Sequence, residues 1–206
     1  MKKCDNCPRR VGQKCVGEFQ DIETSIEKLQ DDLVEAIKML YSKDKYLLDT
    51  YVNEVCITSH IFHYFANKFA DKYGAYDIDP EYNRFGMYSK FYDESSDGRK
   101  VYAKPDMLIH KRNCNKHNLL YVEFKTYWNK DTSGDYYKIK KFISNDSFGG
   151  NGNTVISYRY QYGVSILLEK QQITFVWFKN GVDGVVKTMN ICTKTWKEKG
   201  EHNGEG

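Results

Sequence analysis

The chain has 206 residues, a length that suits one globular domain with room for a small appendage. Hydrophobic residues make up 40% and charged residues 29% of the sequence, so it can bury a core. The formal net charge of +3 does not by itself demand a polyanionic partner. No stretch approaches the roughly 20 apolar residues of a membrane span, and the start lacks the apolar core of a signal peptide. We therefore expect a cytoplasmic protein that does not enter membranes.

The N-terminal segment, residues 1–20, is polar and holds three of the six cysteines. Cys4, Cys7 and Cys15 follow a C-x₂-C-x₇-C pattern, and C-x₂-C is a familiar half of a zinc site. Cysteine groups also hold iron–sulfur clusters, whereas disulfides are rare in the cytoplasm. Two interpretations stay open: a Zn²⁺ or Fe–S site, and free thiols on a flexible start. Because zinc takes four ligands, the fourth would be Cys56, Cys114, Cys192 or a histidine.

Residues 21–44 are expected to form an amphipathic helix. Its apolar side chains alternate in steps of four and three, which is the heptad spacing of helices that pair. We favour packing of this helix on its own domain, and a homodimer through residues 22–40 is the alternative. The apolar positions are Ile22, Ile26, Leu29, Leu33, Ala36 and Leu40.

Residues 45–196 carry helix and strand patterns that predict one mixed domain of α/β or α+β class, followed by a disordered tail over 197–206. A single long helix is expected over about 45–73, because Gly74 can end it. Its predicted buried stripe is Leu48, Val52, Val55, Ser59, Phe62, Ala66 and Phe69. The expected strands are 76–85, 102–111, 119–127, 163–169, 173–179 and 185–191, with a helix over 135–144.

Two stretches of this domain place charged residues at the ends of apolar strands: Pro105-Asp106 and Glu123-Phe124-Lys125. Pro105 cannot donate to a strand ladder and belongs at a strand start, so Asp106 lies at the mouth of an apolar strand. In the next strand, a period of two puts Glu123 and Lys125 on one face. Two carboxylates on adjacent strands can hold a hard cation such as Mg²⁺. A lysine beside them can orient water or neutralise charge developing on a phosphate.

This arrangement resembles the PD-(D/E)XK nuclease superfamily, whose motif is proline-aspartate, a variable gap, an acidic residue, any residue and lysine. The resemblance covers about residues 45–169. It implies a restriction-endonuclease-like core of helix, three strands, helix and strand, built on a mixed central sheet. It also implies that Asp106, Glu123 and the backbone carbonyl of Phe124 bind Mg²⁺ or Mn²⁺, and that Lys125 positions or activates water. The implied reaction is phosphodiester hydrolysis, with DNA as the expected nucleic-acid partner.

A longer pattern is similar to a group of uncharacterised bacterial and phage members of that superfamily. Those members carry a glutamate in the first helix, an E-Y-N-R segment and a histidine that closes the aspartate strand. Glu54, residues 81–84 and His110 match these features. The resemblance makes Glu54 a catalytic-site residue, and the alternative is a bridge to a surface lysine. Glu81 would add a third metal-binding carboxylate and Arg84 would grip phosphate, or the two stabilise an edge strand as an ion pair. For His110, a supporting role near the site is favoured over a direct one.

Further side chains are candidates for ligand contacts. Lys138 and Lys141 could meet a backbone phosphate, although most such lysines are only solvated. Tyr160 could stack on nucleic-acid bases, and packing in the core is the alternative. The spacing of His60 and His63 permits joint metal binding, but two exposed histidines are the more common outcome.

Two functions follow from these patterns. The intact set of Asp106, Glu123 and Lys125 predicts an enzyme, a Mg²⁺- or Mn²⁺-dependent endo- or exonuclease. The heptad helix and the cysteine-rich start are interaction features, and they indicate the alternative of a catalytically silent module that binds nucleic acid or a protein. The enzyme is favoured, because a binding module has no need of all three catalytic side chains.

Overall fold

A computed structural model of the chain describes residues 24–85, 88–112, 114, 117–144, 157–179 and 182–199. The predicted cysteine site at Cys4, Cys7 and Cys15 lies outside these described residues. Within them the chain forms a mixed α/β fold with few helices and a mostly antiparallel central sheet. The predicted mixed fold class is thereby confirmed.

The longer helices begin at residues whose side chains satisfy backbone N–H groups of the first turn. The side chain of Ser25 accepts from the N–H of Lys28 at 3.4 Å, and that of Asn53 accepts from the N–H of Val55 at 2.8 Å. In the described ranges the helices are α1 (Ile26–Lys43), α2 (Lys45–Asp49), α3 (Glu54–Phe69) and α4 (Ser133–Ile143).

The single helix predicted over 45–73 is wrong, because the chain turns between α2 and α3. Tyr51 adopts a left-handed φ of 57°, a conformation that no helix interior tolerates. Asn53 then caps a new helix. As a result Glu54 is the first residue of α3, and its carboxylate lies at the N-terminal end of that helix.

The predicted buried stripe of this region is confirmed at Leu48 and Phe69 and wrong at Val55 and Ser59. Val55 is 49% exposed and Ser59 is exposed, whereas Ile57, Ile61 and Phe65 are fully buried. The turn before α3 gives this helix a direction of its own, so its inner face does not continue the apolar spacing of α2.

The strands of the described ranges are β1 (Asp77–Pro80), β2 (Arg84–Phe85), β3 (Tyr88–Ser89), β4 (Phe91–Glu94), β5 (Lys100–Tyr102), β6 (Met107–His110), β7 (Asn118–Thr126), β8 (Tyr162–Leu168), β9 (Gln172–Lys179), β10 (Val182–Asn190) and β11 (Trp196–Lys199). Seven of them form the central sheet in the order β1-β6-β7-β8-β9-β10-β11. β7 and β8 run parallel, and the other neighbouring pairs of this sheet are antiparallel. β2 with β3 and β4 with β5 form two separate hairpins.

Strand β7 separates two layers of the core. Val122 and Phe124 pack in the cluster that contains the apolar residues of α1 and α3, whereas Tyr121 packs with those of α4. Since side chains alternate along a strand, Glu123 and Lys125 share the side of Tyr121. The predicted division of β7 into two faces is therefore confirmed.

The heptad stripe of α1 is buried inside the chain. Leu29, Leu33, Ala36 and Leu40 have no exposed surface and belong to the core shared with α3 and the sheet. Packing on the own domain, the favoured interpretation, is confirmed. The alternative homodimer through residues 22–40 is not supported, because these four positions have no surface left for a partner helix.

The last described strand corrects the predicted tail. β11 pairs with β10 from Trp196 opposite Met189 to Lys199 opposite Val186. The prediction of disorder from residue 197 onward is therefore wrong for residues 197–199. Low apolar content does not prevent an edge strand, because backbone hydrogen bonds hold it and charged side chains suit an exposed edge.

Helix α4 lies directly on the sheet at Gly163 of β8. A Cβ atom at this position would collide with Cγ2 of Ile139 and lie 3.1 Å from Cγ2 of Ile143. Only glycine permits so close an approach of helix and strand. The contact holds the first turns of α4 near the neighbouring strand β7.

Replacing Gly163 with alanine is expected to destabilise the protein by about 1–3 kcal/mol, because the added methyl group forces α4 away from β8. Urea unfolding of variant and wild type measures the change. Gly134→Ala is the matched control, since a Cβ at Gly134 meets no atom within 4 Å. Equal unfolding free energies for the two variants would contradict the close contact.

Candidate active site

Strands β6 and β7 bring Asp106 and Glu123 to the same end of the sheet. Met107 pairs with Val122 in the antiparallel register, so the residue before Met107 lies across from Glu123. The carboxylate of Asp106 turns toward β7, where its Oδ2 accepts from the backbone N–H of Phe124 at 2.6 Å. The two predicted carboxylates are thus neighbours on adjacent strands.

Glu123 is held from two sides beneath α4. Its side chain is only 4% exposed, and its Oε1 accepts from the hydroxyl of Tyr121 at 2.6 Å. The ammonium group of Lys138 lies 2.9 Å from the same oxygen and 2.8 Å from Oδ1 of Asp135. Lys138 therefore bridges a carboxylate of the strand and a carboxylate of the helix.

Lys125 is held between the two helices that flank the sheet. Its Nζ lies 3.3 Å from Oε1 of Glu54 at the start of α3 and 3.2 Å from Oδ2 of Asp135 in the first turn of α4. The other oxygen of Glu54 accepts from the hydroxyl of Thr126 at 3.4 Å. These contacts hold the ammonium group at the end of β7, where Asp135 also contacts Lys138, the partner of Glu123.

Burial dominates the electrostatics of this cluster. Desolvation, together with repulsion from nearby carboxylates, raises the pKa of Asp106 to about 7 and that of Glu123 to about 8. Desolvation also lowers the pKa of Lys125 and Lys138, but the attraction of the surrounding carboxylates, with Asp135 acting on both, outweighs it and leaves both pKa values raised. The cluster therefore favours positive charge next to its carboxylates.

Replacing Glu123 with glutamine is expected to stabilise the metal-free protein increasingly as the pH rises from about 5 to about 8. The folded wild type keeps a proton on this carboxyl that the unfolded chain has lost, because the pKa is raised from its ordinary 4.5 to about 8. Wild-type unfolding free energy therefore falls through this window, by up to about 1.4 kcal/mol per pH unit for one such group. Urea unfolding in EDTA at several pH values measures the difference between the two proteins.

The comparison with wild type isolates the Glu123 carboxyl. His110 and Lys90 have pKa values lowered by burial, so they act in the opposite direction, but they do so in both proteins. Glu81→Gln is the control, because this partly exposed carboxylate pairs with Lys104 at the surface. A difference between Glu123→Gln and wild type that stays constant with pH would contradict the burial argument.

The oxygen donors of the cluster suit a hard divalent cation. Asp106 and Glu123 offer carboxylate oxygens, the ligands that Mg²⁺ and Mn²⁺ prefer. Glu123 is buried and Asp106 is half-buried, and their like charges repel. Within the described ranges, however, no three His, Cys, Asp or Glu side chains form a ready-made ion site. Lys138 already lies between Glu123 and Asp135 and supplies the positive charge there. A cation bound by Asp106 and Glu123 would therefore have to take the place of the Lys138 ammonium group.

The sequence pattern does not single out two members of the cluster, Asp135 and Tyr121. Asp135 lies one turn from Ile139 on the buried side of α4, and an acidic residue on an apolar face is a signal that the sequence does contain. Tyr121 shares the face of Glu123 by the period of two. Lys138, a predicted phosphate contact, is not merely solvated as the alternative held, because its side chain is 18% exposed and binds two carboxylates.

Three other predicted side chains make their contacts elsewhere. Glu81 pairs with Lys104 at 2.8 Å, so its carboxylate is engaged at the surface. Arg84 is exposed, with Nη1 3.4 Å from the hydroxyl of Ser89. The Nζ of Lys141 lies 5.3 Å from the centroid of a tyrosine ring on the same helix. The structure does not bring these three into the cluster.

The prediction that Tyr160 stacks on nucleic-acid bases is wrong. Its side chain is 1% exposed, and its hydroxyl accepts from Nζ of the buried Lys90 at 2.8 Å. Its ring meets that of Tyr121 edge to face, with centroids 5.8 Å apart. A ring enclosed by protein has no face to offer a base, so packing, the alternative, is confirmed.

The predicted histidines have other partners. Nδ1 of His60 lies 3.2 Å from Asp44, whereas Nε2 of His63 lies 2.8 Å from the amide of Asn67. The two imidazoles thus have separate partners, which does not support joint metal binding. His110 is buried, and its Nε2 lies 3.0 Å from a carboxylate oxygen on β1, so it joins neighbouring strands.

Comparison with known proteins adds no relative from which a role could be transferred. No protein-family model, curated protein or solved structure matches this chain. Its function has to be argued from the site, because a fold alone does not determine a function. In the described ranges, no helix has both the length and the apolar content needed to cross a membrane.

Proposed function

We propose that this chain is a metal-dependent nuclease of the PD-(D/E)XK type, which hydrolyses phosphodiester bonds and has DNA as its expected substrate. The observation that carries the proposal is that Asp106 lies across from Glu123 at one end of β6 and β7, and that Lys125 is linked to Glu123 through Asp135 and Lys138. Glu123 is buried, Asp106 is half-buried, and Lys125 is held by two carboxylates. Such preorganisation is what catalysis requires, and a surface ion pair has no need of it.

The order of the elements supports the restriction-endonuclease-like core that the sequence resemblance implies. From α3 onward the central elements are a helix, the three antiparallel strands β1, β6 and β7, helix α4, and strand β8 parallel to β7. The two small hairpins are insertions between β1 and β6. The motif residues occupy the two central strands of this unit, where the resemblance expects them.

Asp106, Glu123 and the backbone carbonyl of Phe124 would hold the cation. When bound there, Mg²⁺ or Mn²⁺ would acidify a water and offset negative charge on the phosphate. Tyr121 keeps the Glu123 carboxylate oriented through the hydroxyl contact of 2.6 Å. Lys138 has to leave Glu123 when the cation binds, which frees its ammonium group for other acceptors.

Lys125 is the side chain to which we assign direct contact with the reacting groups. Its ammonium group can donate to the attacking water or to a phosphate oxygen as charge develops in the transition state. Glu54 and Asp135 fix its position without contacting the substrate themselves. The predicted catalytic-site role of Glu54 therefore becomes that of a positioning residue for Lys125.

A catalytically silent binding module is the second candidate, and one observation favours it. Lys125 and Lys138 already contact Glu54, Glu123 and Asp135, so the positive charges of two lysines occupy the cluster without any cation. Such a module would bind nucleic acid without turnover.

A cleavage assay decides between the two candidates. Purified protein is incubated with single- and double-stranded DNA and RNA in Mg²⁺, Mn²⁺, Ca²⁺ or EDTA. The nuclease proposal expects cleavage in Mg²⁺ or Mn²⁺ and none in EDTA. Binding without cleavage in every metal would support the silent module, and metal-independent cleavage would contradict the assigned chemistry.

A further inference from the structure

Three aromatic rings form a cluster at the end of β7, which we call the aromatic cluster: Tyr51, Tyr127 and Trp128. The centroids of Tyr51 lie 5.7 Å from Tyr127 and 5.3 Å from Trp128, and the latter two are 4.8 Å apart. The rings meet at steep angles of 59–86°, so they form a rim rather than a flat stack. Tyr51 lies outermost and is 56% exposed.

The aromatic cluster adjoins the candidate active site through both of its chain segments. Tyr127 and Trp128 follow directly after Lys125 and Thr126, and Tyr51 precedes Glu54 by three residues. Three residues span at most about 10 Å. The Cα atom of Tyr51 therefore lies within that distance of the Cα atom of Glu54, whose carboxylate contacts Lys125.

Tyr51 adopts a backbone conformation that residues with bulky side chains rarely take. Its φ of 57° is unusual for a residue with a bulky side chain, and such outliers concentrate at functional sites. The turn places a large ring in solvent beside the site instead of covering it with the core. Tyr46 on the preceding helix α2 is 73% exposed as well.

The charges around the aromatic cluster suit an anionic ligand. Nζ of Lys170, on the turn between β8 and β9, lies 5.4 Å from the centroid of Tyr127. Of the acidic groups nearby, Asp49 pairs with Lys45 at 2.5 Å and Glu169 pairs with Lys130 at 3.7 Å, whereas the Asp131 carboxylate accepts from the N–H and hydroxyl of Ser133.

We propose that the aromatic cluster binds unpaired bases of a nucleic-acid strand and that the substrate enters the site as a single strand. This inference rests on the proposed nuclease function. Aromatic side chains stack on any base, because every base has a flat face. In a duplex both faces of a base are covered by its neighbours, so a stacking rim beside the active site selects unpaired segments. Lys170 would contact the backbone phosphates of the same strand.

Fluorescence anisotropy tests the proposal without cleavage. Labelled single strands of about fifteen thymidines or uridines, and a duplex of the same length, are titrated with wild type, Tyr51→Ala, Tyr51→Phe and Tyr102→Ala in Ca²⁺. Tyr102 is the matched control, because it is 60% exposed on β5. We expect wild type to prefer the single strands and Tyr51→Ala to bind them about tenfold more weakly, the low end of one lost stacking contact. Tyr51→Phe and Tyr102→Ala should bind as wild type does, and the two labelled strands show whether DNA or RNA is preferred.

Unchanged single-strand affinity in Tyr51→Ala, or wild-type preference for the duplex, would overturn the proposal. Cleavage in Mg²⁺ or Mn²⁺ by the same preparations separates this result from failure of the nuclease function. If the wild type cleaves but Tyr51→Ala binds normally, the nuclease proposal stands and the stacking role is refuted. If the wild type neither binds nor cleaves, both proposals are refuted.

Discussion

Replacing Lys125 with alanine is expected to lower kcat for phosphodiester cleavage about 100- to 1000-fold, the loss typical when one preorganised donor is removed. The ammonium group is held at the end of β7 by Glu54 and Asp135, so water cannot take over its position and charge at little cost. KM should change little, because the lost interaction acts mainly on charge that develops in the transition state. Initial rates in Mn²⁺ over a range of substrate concentrations measure both constants.

Two further variants keep this test interpretable. Lys125→Met retains most of the aliphatic stem, which guards against loss of packing, and it should be as inactive as the alanine variant. Lys141→Ala removes a lysine of α4 outside the cluster and should retain activity. Urea unfolding confirms that each protein folds. Cleavage that persists undiminished without the Lys125 ammonium group would refute the assigned role.

Replacing Lys138 with methionine is expected to tighten Mn²⁺ binding about 10- to 100-fold. The Lys138 ammonium group makes contacts of 2.9 Å and 2.8 Å with Glu123 and Asp135, which a cation has to replace. A hydrogen bond to a charged group contributes about 1.5–3 kcal/mol, and about 1.4 kcal/mol corresponds to a tenfold change in Kd. Removing the competing charge should therefore lower Kd in a calorimetric titration of metal-free protein, with no nucleic acid present.

The matched control is Lys141→Met, one turn further along α4, which should bind Mn²⁺ as the wild type does. The Kd of Lys138→Met decides the question. A value equal to or weaker than that of wild type would show that the ammonium group does not compete with the cation. The measurement is independent of turnover, so it also applies if the protein binds nucleic acid without cleaving it.

The site residues at or beside the strands could be predicted, because their placement within each strand depends on the local sequence. Pro105 marks the start of a strand, and alternation along β7 places Glu123 and Lys125 on one face. The structure places Asp106 across from Glu123, as these local rules require. Likewise the heptad stripe of α1 correctly identified Leu29, Leu33, Ala36 and Leu40 as buried, whereas Ile26 is half-buried and Ile22 lies outside the described residues.

The remaining parts depend on how distant segments pack. The contact of Asp135 with Lys125 follows from the close approach of α4 at Gly163, and no local pattern encodes that distance. Tyr160 illustrates a second limit, because a tyrosine in a strand suits a core and a binding surface equally well, and only its neighbours decide. At the break between α2 and α3, apolar spacing continues through the turn, so the capping preference of Asn53 was the better guide.

The packing of the core and the arrangement of the site residues both depend on one antiparallel register between β6 and β7. A slip by one residue would carry Glu123 and Lys125 to the side of α1 and α3 and turn Val122 toward α4. One inserted residue within either strand would therefore disrupt the core and also separate the carboxylates of Asp106 and Glu123. The ladder is already irregular between positions 109 and 110, and beyond His110 the register of β6 and β7 imposes no such alignment. Natural versions of this chain should accordingly vary in length there and keep a constant residue count within both strands.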